Sequence, residues 1–176
     1  LTSVHVSGVT NRLEGALRPG HFEGVATVVA KLFNIVRPTQ AFFGWKDFQQ
    51  CVVIQRMVKD LNFPLDLRFI ETVREQDGLA MSSRNAYLSE AERRKAPSLY
   101  RALQNARIAI LSGETVEMVL ASGRALLSAE GFDLQYLEYV DGHTLLPLKS
   151  MIPEARLVVA AKIGTTRLID NVLVSD

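Results

Sequence analysis

The chain has 176 residues, 48% of them hydrophobic, which is enough apolar material for one moderate domain or two small ones and excludes a disordered chain. Twenty Lys and Arg against nineteen Asp and Glu leave a formal net charge of +1, so no field of one sign recommends a nucleic acid or an anionic membrane as partner. One cysteine and three scattered histidines exclude an internal disulfide framework and a zinc-built fold, and no apolar run approaches the roughly 20 residues of a membrane span. A small-molecule ligand and a reducing, cytoplasmic setting fit this composition. The start at Leu1, inside an alternating stretch, suggests a piece of a longer protein.

In chain order, residues 2–9 alternate loosely and predict a strand ending near Gly8, followed by a polar loop over 11–20. Apolar residues at Val25, Val28, Val29, Leu32, Phe33 and Val36 predict a largely buried helix over 22–36, stopped by Pro38. A short apolar run at 41–43 reads as a strand. It leads through Gly44-Trp45-Lys46-Asp47 into a second helix carrying Cys51, Ile54, Met57 and Val58, with Cys51 expected in the core. Residues 65–70 read as another strand. Strand, polar turn and helix in this order belong to a parallel sheet whose ligand groups lie beyond the C-terminal strand ends.

The stretch 73–86 breaks the pattern with many polar residues around Met81 and reads as a functional loop or hinge. Ser89 and Glu92 form a capping box for a helix with Ala96, Leu99, Leu103, Ala106 and Ile110 on one stripe, ending at Gly113. A further helix is expected over 116–129. Three alternating runs, 134–140, 156–163 and 167–174, read as strands, the last two joined by a tight turn at Gly164-Thr165. The predicted organisation is residues 1–72 as the end of a Rossmann-like α/β parallel-sheet domain and 73–176 as a smaller α+β lid domain, with helices on a three-stranded antiparallel sheet.

Two clusters could carry chemistry. In Gly44-Trp45-Lys46-Asp47-Phe48-Gln49-Gln50, a cation and an amide at a helix start could face one anion; alternatively, Asp47 is a plain N-cap and Lys46 a solvated neighbour. In Ser82-Ser83-Arg84-Asn85, two hydroxyls and a guanidinium suit polyphosphate oxygens, or the segment is an ordinary Ser- and Asn-rich turn. Arg18-Pro19-Gly20-His21 is a turn before a helix or a contact for an anionic substrate. Trp45 is a lid over a ligand or packing. Walker-type and dinucleotide glycine loops, the nucleophile elbow and the H-E-x-x-H zinc signature are absent.

Taken together, Leu13-Glu14-Gly15, Arg18-Pro19-Gly20-His21-Phe22, Lys31-Leu32-Phe33, Phe43-Gly44-x-Lys46-Asp47-x-Gln49-Gln50, the run from Asp77 to Asn85 and Arg167-Leu168-Ile169-Asp170-Asn171 resemble the pantothenate synthetase (pantoate–β-alanine ligase) family over essentially the whole chain. The resemblance implies the later part of that enzyme, without the stretch that carries the histidine phosphate motif. It implies activation of pantoate by ATP with Mg²⁺ to pantoyl adenylate, then displacement of AMP by β-alanine. Lys46, Ser82, Ser83 and Arg84 would be the catalytic group on the phosphates, the last three as counterpart of the mobile lysine-serine loop of class I aminoacyl-tRNA synthetases. Gly44, Asp47, Val73 and Met81 would complete the ATP site, with Asp47 at the ribose and the backbone near Val73 at the adenine. Gln50 and Arg18 would meet pantoate. No metal ligands are assigned within the chain, the Mg²⁺ being held by ATP or by residues outside it. The resemblance also implies a homodimer and no nucleic-acid partner. This chain carries Trp45 where the family has Glu, which puts the geometry around Lys46 in question. The 176 residues are expected to be inactive alone; the alternative is a non-catalytic nucleotide-binding or dimerisation module.

Overall fold

Helix α2 (His21–Val36) shows how the first part of the chain is built. Its buried side chains, Phe22, Ala26, Ala30 and Phe33, recur at helical spacing and form one stripe. Val28, Leu32, Ile35 and Val36 remain exposed, so the expected largely buried helix is buried along one face only. It ends at Arg37, which takes the left-handed conformation and donates its N–H to the Phe33 carbonyl. Pro38 disfavours a right-handed turn at the residue before it.

The computed structural model describes residues 2–175. In it the chain divides into two units, Leu1–Glu71 with His143–Leu145, and Thr72–Gly142 with Leu146–Asp176. The first contains parallel strands β1 (Gln40–Gly44) and β2 (Asp66–Ile70), joined through helix α3 (Phe48–Asp60). Gln40 pairs with Asp66 and Gly44 with Ile70. Helix α3 buries Phe48, Cys51, Val52, Val53, Ile54 and Met57, and the Cys51 thiol donates to the Gly44 carbonyl, which makes Cys51 a core residue.

Two expectations for this unit are corrected. Residues 2–7 have no strand ladder; instead the Val4 N–H donates to the Thr27 hydroxyl on α2, and Gly8 turns the chain at φ +82°. An alternating stretch becomes a strand only where another strand accepts its backbone, and here a helix side chain takes that bond. The expected loop at 11–20 contains a one-turn helix, α1 (Glu14–Leu17).

The second unit packs two helices on the antiparallel sheet β3 (Asp133–Val140), β4 (Arg156–Ile163) and β5 (Thr166–Leu173), in that spatial order. Gly164, at φ +55°, makes the turn between β4 and β5. The expected single helix from Ser89 is instead two, α4 (Glu90–Lys95) and α5 (Ser98–Leu111), because Pro97 has no N–H to continue the ladder. The capping box is present, with the Ser89 hydroxyl accepting from the Glu92 N–H and the Glu92 carboxylate accepting from the Ser89 N–H. Helix α6 (Val116–Ala129) packs on β3, and α5 packs on β4 and β5. The predicted stripe Ala96, Leu99, Leu103, Ala106 and Ile110 is buried with Leu127, Leu137, Leu157 and Val159 in one core. No helix among the described residues is long and apolar enough to cross a membrane.

Candidate active site

In the first unit, Gly44 ends β1, a 3-10 turn spans Trp45–Asp47, and α3 begins at Phe48. Lys46, Asp47 and Gln50 therefore share the C-terminal end of a parallel strand and the first turn of a helix, where backbone N–H groups favour anions. Asp47 occupies the N-cap position but makes no side-chain cap bond, and its side chain is exposed. Trp45 stacks on Phe69 of β2, ring centroids 4.4 Å apart, and tilts against Phe48 at 6.0 Å. It packs on the sheet.

Gln49, beside Gln50, is the residue that sequence reasoning left without a role. It is buried, its Nε2 donates to the carbonyls of Val9 (2.8 Å) and Arg12 (2.9 Å), and its Oε1 accepts from the Glu14 N–H (3.0 Å). One amide on α3 thus pins the segment that leads to α1 and to Arg18. The available signal was its position, three before Val52 and four before Val53, on the face of α3 that also buries Phe48 and Cys51.

Arg18 Nη1 donates to His21 Nε2 at 3.1 Å and lies 3.9 Å from Glu14 Oε2. A guanidinium has no acceptor, so this bond requires an unprotonated Nε2. Accordingly, the imidazole pKa is pushed below its ordinary value, first by partial burial and then by the Arg18 charge, against the opposing pull of Glu14 and Asp47. His21 thus feels the charges of Arg18, Glu14 and Asp47.

In the second unit, residues 73–81 fold into a small hairpin. Met81 N–H donates to the Val73 carbonyl at 2.9 Å, Glu75 N–H to the Leu79 carbonyl at 2.8 Å, and Arg74 bridges to Ala80. Gly78 is required at its turn: φ is +92°, and a Cβ there would lie 2.7 Å from Cδ1 of Tyr100. Arg74 lies 3.6 Å over the Tyr100 ring and grips both carboxylate oxygens of Asp170 on β5, at 2.6 and 2.9 Å. Asp170, within the RLIDN signature, is thereby the anchor of a loop far from it in sequence.

Beyond the hairpin, a second 3-10 turn spans Ser83–Tyr87. The Ser82 hydroxyl accepts from the Arg84 N–H at 3.2 Å, so the segment is a serine turn as well as a candidate phosphate grip. Val73, Met81, Ser83 and Arg84 are exposed, Ser82 half-buried. Glu75 and Asp77 sit below the usual carboxylate range, Glu75 chiefly through the hydrogen bond from Asn85 and Asp77 through that from Arg93. Among the described residues no group of three or more His, Cys, Asp or Glu side chains could hold a metal ion.

A parallel βα unit of nucleotidyltransferase type with a separate small α+β unit defines the class: nucleotidyltransferase-like ligases. Within it, the chain belongs to the pantoate–β-alanine ligase family, whose model matches residues 1–173. It is 52% identical over 173 residues to pantothenate synthetase of Acidiphilium cryptum (strain JF-5), covering 98% of this chain and 62% of that protein. The corresponding figures for Chromohalobacter salexigens are 51% over 174 residues, 99% and 62%. The crystal structure of pantothenate synthetase from Thermus thermophilus superposes with a TM-score of 0.96 at 50% identity, over 100% of this chain and 64% of that one. The ligase from Francisella tularensis, complexed with beta-gamma ATP and beta-alanine, gives a TM-score of 0.75 at 31% identity, over 98% and 58%. The chain spans about three-fifths of the length of these relatives.

Proposed function

We propose that this chain supplies part of the site for ATP-dependent joining of pantoate to β-alanine. The carrying observation is the 0.96 superposition at 50% identity on a pantothenate synthetase over all of this chain. A carboxylate oxygen of pantoate attacks the α-phosphorus, pyrophosphate leaves, and pantoyl adenylate forms. The β-alanine amine then attacks the acyl carbon, releasing AMP and a proton. No protein nucleophile is needed, so the work of the site is positioning and charge stabilisation.

Lys46, Ser82, Ser83 and Arg84 hold the phosphates as catalytic residues. Gly44, Asp47, Val73 and Met81 line the nucleotide, and Gln50 and Arg18 hold pantoate. The exposed Arg84 and Ser83, on a turn fixed from both ends, support the phosphate assignment; the uncapped carboxylate of Asp47 supports a role toward ribose hydroxyls. Residues 1–72 act as the ATP- and pantoate-binding part and 73–176 as a lid, in a cytoplasmic homodimer. Since no group of three or more His, Cys, Asp or Glu side chains among the described residues could hold a metal ion, Mg²⁺ would be held by the ATP phosphates or by residues outside this chain.

These 176 residues bind ATP but release no pyrophosphate alone. The test measures pyrophosphate from ATP and pantoate with the chain alone, then mixed with the part of the Thermus relative that it does not match. Turnover on mixing, lowered at least tenfold by Arg84→Ala, is expected, as charged hydrogen bonds are worth about 1.5–3 kcal/mol each. Turnover untouched by Arg84→Ala would remove the loop from the site; ATP binding with no turnover in any mixture would favour the non-catalytic module.

A further inference from the structure

We propose that Arg93 is a positioning residue for the nucleotide site: it acts through Glu75, Asp77 and Asn85 to hold Ser82, Ser83 and Arg84 where they meet the phosphates. The proposal rests on the ligase reading above and adds a residue to which that reading gives no part.

Arg93 lies on α4, just past the capping box, and touches none of the residues assigned to substrate. Its two terminal nitrogens divide between two carboxylates: Nη2 donates to Glu75 Oε2 and Nη1 to Asp77 Oδ2, each at 2.5 Å. The other oxygen of Glu75 accepts from Asn85 Nδ2 at 2.7 Å, and the same Nδ2 donates to the Ala80 carbonyl at 3.1 Å. Both partners of the Asn85 amide nitrogen are acceptors, which fixes the orientation of the amide.

The consequence is a closed circuit. Ala80 and Asn85 are the two posts between which residues 81–84 are strung, and one side chain, Asn85, ties both posts to Glu75. Glu75 and Asp77 are in turn held by Arg93, a planar donor suited to spanning two carboxylates. Inside the span, the Ser82 hydroxyl to Arg84 N–H bond is local and cannot set where the turn lies. Removing the guanidinium leaves the hairpin's backbone bonds in place but releases the Asp77 and Glu75 carboxylates, so that Asn85 is attached to an unsecured carboxylate. Because the Arg93 side chain is 30% exposed and its partners 32% and 42%, its loss loosens the loop rather than unfolding the unit.

The experiment compares the chain with Arg93→Ala, Arg93→Lys, Arg84→Ala and the Arg84→Ala/Arg93→Ala pair. ATP affinity is read by calorimetry, and amide hydrogen exchange is followed over 75–86 and over β3 to β5. Two partly exposed pairs, each contributing a factor of about three, predict ATP binding weakened roughly tenfold by Arg93→Ala. Faster exchange is expected over 75–86 only. Arg93→Lys, which keeps the charge, recovers part of both. In the Arg84→Ala background, Arg93→Ala costs less than about twofold, because the group it positions is gone. Unchanged ATP affinity in Arg93→Ala, or an equal loss in both backgrounds, would overturn the proposal and leave Arg93 a purely structural residue. Failure of the unsubstituted chain to bind ATP would overturn the nucleotide reading first, and this proposal with it.

Discussion

Asp170→Ala tests the anchor of the loop directly. The Asp170 side chain is 2% exposed; Arg74 takes both its oxygens, and Oδ1 also accepts the Asn171 N–H at 2.8 Å. After truncation, Arg74, itself 18% exposed, keeps the Gly78 carbonyl at 3.0 Å and the Tyr100 face. Breaking a buried pair by removing one partner costs about 3–5 kcal/mol, and the contacts Arg74 retains place the expected loss near the lower end, about 3 kcal/mol. With a urea slope of about 2 kcal/mol per molar, the midpoint of the transition reporting β3 to β5 falls by about 1.5 M in circular dichroism. The paired replacement Arg74→Met with Asp170→Leu removes both charges and recovers most of that loss, since an apolar pair needs no desolvated partner. A loss under about 1 kcal/mol for Asp170→Ala, or a pair less stable than the single variant, would refute the reasoning.

Trp45→Glu removes the stack on Phe69, worth about 0.5–1.5 kcal/mol beyond buried area, so urea unfolding of the first unit shifts downward. The same variant places a carboxylate beside Lys46, and calorimetry should show tighter ATP binding; equal affinity would make the position a bystander. Glu75 and Asp77 have folded pKa values below their unfolded ones, so their contribution is present above the unfolded values and lost as pH falls through the folded ones. Amide protection over 75–86, corrected for intrinsic rates, should stay flat from pH 7 to about 5 and collapse below about 4; a loss centred near pH 6 would contradict this assignment.

What the chain alone discloses follows from how local each cause is. Helix α6, the Ser89 capping box and the Gly164 turn depend on residues within a few positions, and each was readable. Pro97 was equally visible, yet the apolar stripe runs on in phase through it, and periodicity alone hides a two-residue break. Residues 2–9 failed because alternation states what a strand needs and not whether a partner exists. The site divides in the same way. Lys46, Asp47 and the Ser82–Arg84 turn stand out by residue type at a predicted turn, whereas Gln49, Asp170 and Arg93 matter through contacts 35 to 96 residues or 16 to 18 residues away. Nothing in their neighbours' spacing announces those contacts.

The ring of Tyr100 fills the room that a side chain at Gly78 would need, and it is also the floor on which Arg74 rests. A single methyl group at position 78 would therefore work as a lever: it would press the ring from its edge, tilt the surface under the guanidinium, and spoil the two-pronged fit on Asp170. A change at the tip of a small hairpin would thus be registered on the last strand of the sheet.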